Sequence, residues 1–588
     1  MVNERIQKLR DIMKEKNVDA YYIPTSDFHN SEYVSDYFKT RAYMSNFYGS
    51  AGFLLITQKE ACLWTDARYF IIAANAIKDN EVKLMKMFEP NVPTLDEYIE
   101  SHLDEIHTLG FDGRVVSANQ MKHFKDRFDI NFKCDEDLVD LFWTDRPELS
   151  KNKAFFMSEE YAGKSTNDKL KEIRHIMKEN KADVHVLSTL DDIAWLMNMR
   201  GMDVHCCPVV LSYAVIFMDK VALFMDESKC DEAMLENFKT CNITVYPYND
   251  VYEFLKACPS EYAYMVNESI VNSYLLECIP GTVINHANPS TMMKAKKNPV
   301  EIENTRWAHI MDGVAVTKFM IWVKDEIKNR EISELEVDEK ITSLRKEWKD
   351  LITPSFGTIA GYGPNGASMH YSATKDSYSM CKAKDFLLVD SGGTYKQGTT
   401  DITRTFLLGE TSHAFKEDYT MVLRAHIALN KAKFLYGSSG PTLDGLCRQP
   451  FWERGLDYKH GTGHGVGHVL NVHEGPNNFY WNTSRGLCVF EEGMITTNEP
   501  GYYVEGSHGI RIENELLCLK DFVNEYGQFM KFESLTICPY DLDAVLVDQF
   551  TSSEKAWLNA YHKECYQKLS PYLNEYEKEQ LKVYTREI

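Results

Sequence analysis

The chain has 588 residues, enough for two to four domains, and 87 acidic against 65 basic residues leave it a net charge of −22. That balance argues against a nucleic-acid or anionic-membrane surface, and no apolar run reaches the roughly 18 residues a membrane-spanning helix needs. Fourteen cysteines are scattered without a CxxC pair, only Cys206 and Cys207 being adjacent, so they read as reduced thiols rather than a disulfide framework or a thiolate metal site.

The N-terminus, MVNERIQKLRDIMKEKN, is charged and amphipathic and lacks the apolar core of a secretory signal; cytoplasm is the expected compartment. Leu9–Asp27 is echoed by Ile173–Asp191, with eight identities in nineteen positions. Each copy reads as an amphipathic helix running into a buried strand, followed by a strand–turn–strand signal at 53–69 and 214–228. Two related α/β domains are therefore expected, roughly 1–155 and 156–297, joined near Asp145–Tyr161. Neither carries a phosphate-binding glycine fingerprint, which disfavours nucleotide binding.

A third domain, 298–588, is expected to open on a helix. Asn298 suits the N-cap, Pro299 the first helical position, and Glu301 completes a capping box. Helical periodicity continues over Val300–Ile327, and Ser333 with Glu336 starts a second helix. Trp307, Phe319 and Met320 read as core. A glycine-rich stretch, 358–371, precedes His370. Phe386–Val389 is strand-like and ends at Asp390; after a Ser-Gly-Gly turn the chain reaches Asp401 and the alternating Ile402–Phe406. A bent hairpin there would bring both aspartates to one spot.

The stretch HGTGHGVGHVLNVHEGP places histidines at 460, 464, 468 and 473 among glycines, which clear space around the imidazoles. Imidazole nitrogens bind metals and titrate near neutrality. Downstream, Glu499 ends a strand-like run before Pro500-Gly501, and Glu513 lies in an alternating strand with Arg511 on its own face. The tail from about 541 to 588 reads as amphipathic helix packed on the third domain.

Taken singly, these acids fit turn-capping or exposed strand positions. Taken together, Asp390, Asp401, Glu499 and Glu513 around His464 are four carboxylates and one imidazole. Such a set cannot share a small buried volume without compensating positive charge. Two divalent cations would supply it, and an oxygen-rich set with one nitrogen suits Mn²⁺, Co²⁺, Fe²⁺ or Zn²⁺ catalytic centres. Paired ions that share a water are hydrolytic machinery.

The same residues stand in the contexts VDSG, TTDITRTF, HGTGHGVG, NEPGYY and GIRIEN, and in that order they resemble the pita-bread metallopeptidases. Within these, YIPTSDFHNSEY, WTDARYF, FWTDRPE, GPNGASMHY and GLDYKHGTGHGVG resemble the long, three-domain, cytosolic aminopeptidase P (Xaa-Pro aminopeptidase) group over nearly the whole chain. The resemblance implies two creatinase-type N-terminal domains before a pita-bread catalytic domain. It also implies a metal-dependent aminopeptidase that hydrolyses the bond preceding a proline at the second position of peptides.

That resemblance implies two ions, Mn²⁺ with Zn²⁺ or Co²⁺ as alternatives: Asp390 binds one, His464 and Glu499 bind the other, and Asp401 and Glu513 bridge. Glu499 handles the water's proton. His370 and His473 bind substrate and stabilise the oxyanion, His460 lines the proline pocket, and Tyr503, Arg511 and, from the first domain, Arg68 lie on the substrate side, with Arg41 a further basic candidate. His468 departs from the pattern and reads as a loop histidine without a metal role. A homodimer through the catalytic domain is implied as well. The competing readings are a prolidase confined to dipeptides and a non-catalytic pita-bread binding module; a metal-free creatinase-like enzyme is disfavoured because all five ligand positions are kept.

Overall fold

Ile6, Leu9 and Met13 recur on one face of the helix Val2–Glu15, and Leu170, Ile173 and Met177 do the same in Thr166–Glu179; both stripes are buried. In the computed structural model, which describes residues 1–588 apart from the side chain of Arg485, each of these helices leads into the strand at the middle of a six-stranded sheet. The first sheet comprises β1 (Ala20–Pro24), β2 (Phe53–Thr57), β3 (Ala61–Thr65), β4 (Lys83–Lys86), β5 (Thr108–Gly110) and β6 (Asn131–Lys133), in the order β4-β3-β2-β1-β5-β6. The second comprises β7 (Val184–Leu187), β8 (Tyr213–Phe217), β9 (Val221–Phe224), β10 (Ile243–Tyr246), β11 (Ala263–Val266) and β12 (Thr282–Asn285), in the order β10-β9-β8-β7-β11-β12. The pairing senses also repeat: β1 and β7 each meet one antiparallel and one parallel neighbour. The sequence echo at 9–27 and 173–191 is thus an echo of architecture. Alternate residues of β1 enter different cores, Tyr21 and Ile23 on one face, Ala20 and Tyr22 on the other, as the two-residue period of a strand covered on both sides requires.

Contacts gather the chain into two units, Met1–Met157 with Lys164–Ser290, and Ser158–Gly163 with Thr291–Ile588. The second opens on the helix Pro299–Glu326. Asn298 accepts from the Val300 and Glu301 amides, and the Glu301 carboxylate accepts the Asn298 N–H at 2.9 Å. A second box, Ser333 with Glu336, starts Glu334–Arg345. Phe319 and Met320 are fully buried, as read from the sequence, and Trp307 is partly so. Behind the first helix an antiparallel sheet pairs Ile359–Tyr362 with Phe386–Ser391, and that strand with Ile402–Leu407. A second sheet runs Lys433–Leu435, Gly527–Ser534, Asn514–Asn524, Ile495–Asn498. The mixed α/β class expected from sequence is the class observed. Among the described residues no helix is long and apolar enough to cross a membrane.

The tail is more than a cover. Its helix Ser552–Leu569 sends Leu558, Tyr561, Cys565 and Leu569 into the core beneath the second sheet. His562 on the same helix is fully buried and its Nε2 accepts the Tyr540 N–H at 3.1 Å. Burial, helped by the nearby Arg404 guanidinium, lowers its pKa to about 3. In the unfolded chain the ring titrates near 6.5. Its contribution to stability is therefore complete above pH 6.5 and is lost as pH falls toward 3, at about 1.4 kcal/mol per pH unit. Urea midpoints measured between pH 7 and 4 should fall less steeply for His562→Gln than for the parent chain; equal slopes would show that His562 takes no part.

Candidate metal centre

Asp390 and Asp401 lie at the joined end of one strand pair. Asp390 faces Thr403 and Ser391 faces Ile402 across the ladder, so the intervening turn delivers Asp401 beside Asp390, as the hairpin reading expects. His464 stands on the two-residue strand Gly463–His464, whose approach to the neighbouring strand is possible only for glycine: a Cβ on Gly463 would meet the Thr497 carbonyl oxygen at 1.8 Å. Glu499 follows the strand Ile495–Asn498, its N–H held by the Thr462 carbonyl at 2.8 Å. Glu513 sits between the strands His508–Arg511 and Asn514–Asn524, its N–H bonded to the Thr403 carbonyl.

These five side chains converge. Ligand atoms of Asp401, His464 and Glu513 lie within 4.8 Å of one another. His464 Nε2 is 3.5 Å from Asp401 Oδ2 and 3.7 Å from Glu499 Oε1. Asp390 joins through Arg511, whose Nη2 donates to Asp390 Oδ2 at 2.6 Å. Burial, and then the mutual repulsion of Asp390, Asp401 and Glu499, pushes the carboxyls of Asp401 and Glu513 well above the usual range. Burial raises Glu499 as well, against the pull of His464 and Arg511. Two oxygens, Asp390 Oδ1 and Asp401 Oδ1, are buried without a hydrogen-bond partner among the described residues. Buried carboxylate oxygens with no donor are costly. Four acids facing one guanidinium, with two oxygens left unserved, suit divalent cations, and the donor set is that of a hydrolytic centre rather than a structural zinc site.

The histidines divide by their surroundings. The ring of His473 meets that of His464 edge to face at 4.3 Å. His460 Nδ1 lies 2.7 Å from the Gly461 carbonyl oxygen, which can only accept, so Nδ1 carries the proton. Its Nε2 then accepts from the Tyr503 hydroxyl at 3.0 Å, and that hydroxyl in turn accepts from Arg511 Nη1 at 2.9 Å. Burial and Arg511 lower the His460 pKa to about 3, so the ring is neutral and both nitrogens are occupied. His468 is buried, with Nδ1 3.2 Å from Thr305 Oγ1 and Nε2 3.1 Å from the Tyr161 carbonyl; it pins the 158–163 segment. Arg68 and Arg41 belong to the first unit. Asp66 holds Arg68 through two hydrogen bonds, at 2.9 and 2.8 Å. Arg41 is buried rather than a surface residue, its guanidinium donating to the carbonyls of Phe47 and Gly49 while its Nε has no partner among the described residues.

Other participants went unread in the sequence. Thr403 Oγ1 donates to Glu513 Oε2 at 2.7 Å. Glu515 Oε1 accepts the Asp401 N–H at 2.7 Å, and its other oxygen lies 3.2 Å from Nε2 of buried His309 on the long helix. Both acids of GIRIENE were in plain view, and the two-residue strand period puts Glu515 on the face of Glu513. Groups that orient ligands in this way tune a metal site.

Glu334 was equally hidden. It is fully buried, and its carboxylate accepts from the Tyr362 N–H (2.7 Å), the Ser379 N–H (2.7 Å), the Tyr371 hydroxyl (2.8 Å) and the Asn365 amide. Those donors span the loop that carries His370. Glu334→Ala is expected to loosen this loop and raise KM about 10–100-fold for peptide substrates, with a smaller change in kcat; steady-state kinetics with an unchanged KM would remove Glu334 from that role.

Known proteins resemble the chain over its whole length. Residues 5–141 and 145–301 match models of the creatinase/prolidase N-terminal domain, 303–520 match metallopeptidase family M24, and 528–588 match the C-terminal region of peptidase M24. The chain is 38% identical to Xaa-Pro aminopeptidase 1 of Dictyostelium discoideum over 590 residues, covering 97% of this chain and 93% of that one. It is 34% identical to aminopeptidase P1 of Arabidopsis thaliana, covering 100% and 99%. The crystal structure of X-prolyl aminopeptidase from Caenorhabditis elegans, described as a cytosolic enzyme with a di-nuclear active site, superposes with a TM-score of 0.94 at 32% identity over the full length of both chains.

Proposed function

Because the chain belongs to the Xaa-Pro aminopeptidases of metallopeptidase family M24, we propose that it hydrolyses the bond between a free N-terminal residue and a following proline in peptides longer than two residues. The observation that carries this reading is the convergence of Asp390, Asp401, His464, Glu499 and Glu513 around two buried, donorless carboxylate oxygens. In it these five residues hold two divalent cations, Mn²⁺ by preference over Zn²⁺ or Co²⁺. Bound there, such ions would lower the pKa of a shared water and polarise the scissile carbonyl.

The protein's own groups do the rest. Glu499, whose carboxyl is raised by burial, takes up a proton and returns it to the leaving nitrogen, a general acid–base role. His473 and His370 donate hydrogen bonds to the carbonyl oxygen as it gains negative charge. His460, neutral and with both nitrogens engaged, offers a ring face rather than a donor, a suitable wall for the pyrrolidine ring. Arg511 orients Asp390 and Tyr503 together. Proline's imide nitrogen has no N–H, so a site that asks for none there admits a bond that other aminopeptidases pass over.

We also infer a division at 1–155, 156–297 and 298–588, a cytoplasmic enzyme and a homodimer through the catalytic part. The repeated six-stranded sheets and the breaks between the matched domain models support the division. The charge and cysteine usage support the compartment.

Turnover of an X-Pro-Y tripeptide should exceed that of X-Ala-Y by at least about 10²-fold, stop with chelator and return with added Mn²⁺. Equal turnover of the two peptides, or turnover indifferent to chelator, would overturn the reading. Activity restricted to X-Pro dipeptides would make the enzyme a prolidase.

A further inference from the structure

Within the first unit, away from any residue assigned above, a cavity of about 360 Å³ opens beside β2 and β3. Its walls are aromatic. Phe53 and Trp64 stack at 5.3 Å, and Tyr22 tilts against Phe53 at 5.6 Å. Met87 and Phe88 also line it. Phe88 is 89% exposed and has φ +68°, a conformation that is an outlier for a bulky residue and that collects at ligand clamps.

Two polar groups point to what the cavity takes. Tyr22 lines the cavity and is more than nine-tenths buried as a residue, while its hydroxyl itself reaches solvent and has no hydrogen-bond partner among the described residues. A hydroxyl that opens on a cavity without a protein partner can serve a ligand group as donor or acceptor. Asp96 is the one carboxylate lining the cavity among the described residues; its Oδ2 is 2.7 Å from His123 Nε2, and its Oδ1 accepts no hydrogen bond. The volume lies near the lower end for small-molecule sites, where one ring with a short chain fits.

We propose that this cavity is a binding site for a small organic amine bearing an aromatic ring. The ring packs among Phe53, Trp64 and Met87, and the ammonium donates to Asp96 Oδ1 and the Tyr22 oxygen. Aromatic faces attract cations, a carboxylate repels an anionic ligand, and the −22 charge of the chain enriches cations around it.

The test is titration of the full-length, metal-loaded protein with 2-phenylethylamine and, as the charge-reversed control, phenylacetate, followed by saturation-transfer NMR. Parent, Asp96→Asn and Met87→Trp proteins are compared. The amine should bind at least about tenfold more tightly than phenylacetate, Asp96→Asn should remove that preference, and Met87→Trp, which fills the cavity, should abolish amine binding. Val92→Trp, at another lining position, serves if Met87→Trp does not fold. Equal affinity for amine and acid in the parent protein, or amine binding unchanged in both the charge and the filling variants, overturns the proposal.

Discussion

His464→Ala is expected to lower kcat/KM for an X-Pro-Y peptide by about 10³-fold, roughly 4 kcal/mol of transition-state stabilisation, while the thermal midpoint stays close to the parent value. The imidazole is the one nitrogen ligand offered to the cluster, 3.5 Å from Asp401 and 3.7 Å from Glu499. Removing it leaves the carboxylates to repel one another with a weaker hold on any ion between them. Its structural cost is small, because the ring is about one-fifth exposed and the backbone that carries it is held independently, by the His464 N–H to Thr497 Oγ1 and the pairing of Gly463 with Phe479. The same variant should bind Mn²⁺ more weakly in a calorimetric titration. Retention of more than a tenth of parent activity would remove His464 from the ligand set.

The largest expected effect on stability comes from Arg404→Met. Arg404 is buried and serves six acceptors: the carbonyls of Thr403 (3.0 Å), Glu513 (2.7 Å), Cys538 (2.8 Å) and Pro539 (3.2 Å), Asn514 Oδ1 (2.9 Å) and the Tyr561 hydroxyl (3.3 Å). It stitches the strand of Asp401, the turn bearing Glu513 and the segment leading into the tail. Methionine keeps much of the volume and none of the donors. Leaving that many buried acceptors unserved should cost about 3–5 kcal/mol, read as a lower urea midpoint for unfolding of the second unit. Arg404→Lys should lie between, since an ammonium has three donors to replace five. A loss below about 1 kcal/mol in Arg404→Met would mean that water or relaxation serves these carbonyls.

Arg404 also shows where sequence reading stops. In DITRTF, alternation alone puts Arg404 on the face opposite Asp401, Thr403 and Thr405, which suggests an outward, solvated guanidinium. In the fold that opposite face is covered by the 536–540 segment and Tyr561, because the tail packs there. Asp390 and Asp401 could be paired from sequence because the link is local: an apolar strand, a glycine turn and a returning strand leave few other geometries. Glu334 and His309 could not. Each lies on a helix far along the chain from the groups it serves, Tyr371 and Glu515, and helical periodicity says which face is buried without naming what buries it.

The amino-acid sequence by itself determined the α/β class and the doubled N-terminal architecture, since local period and a repeated segment are properties of the chain, and it offered Asp390, Asp401, His464, Glu499 and Glu513 as candidate ligands through the motifs around them. The tertiary structure alone decided which groups hold those five in place. It assigned Thr403 to Glu513, Glu515 to the Asp401 amide, Arg511 to Asp390 and Glu334 to the His370 loop. Hydrogen bonds of that kind join residues whose separation along the chain carries no signal, and only burial, by removing water as the alternative partner, makes each of them obligatory.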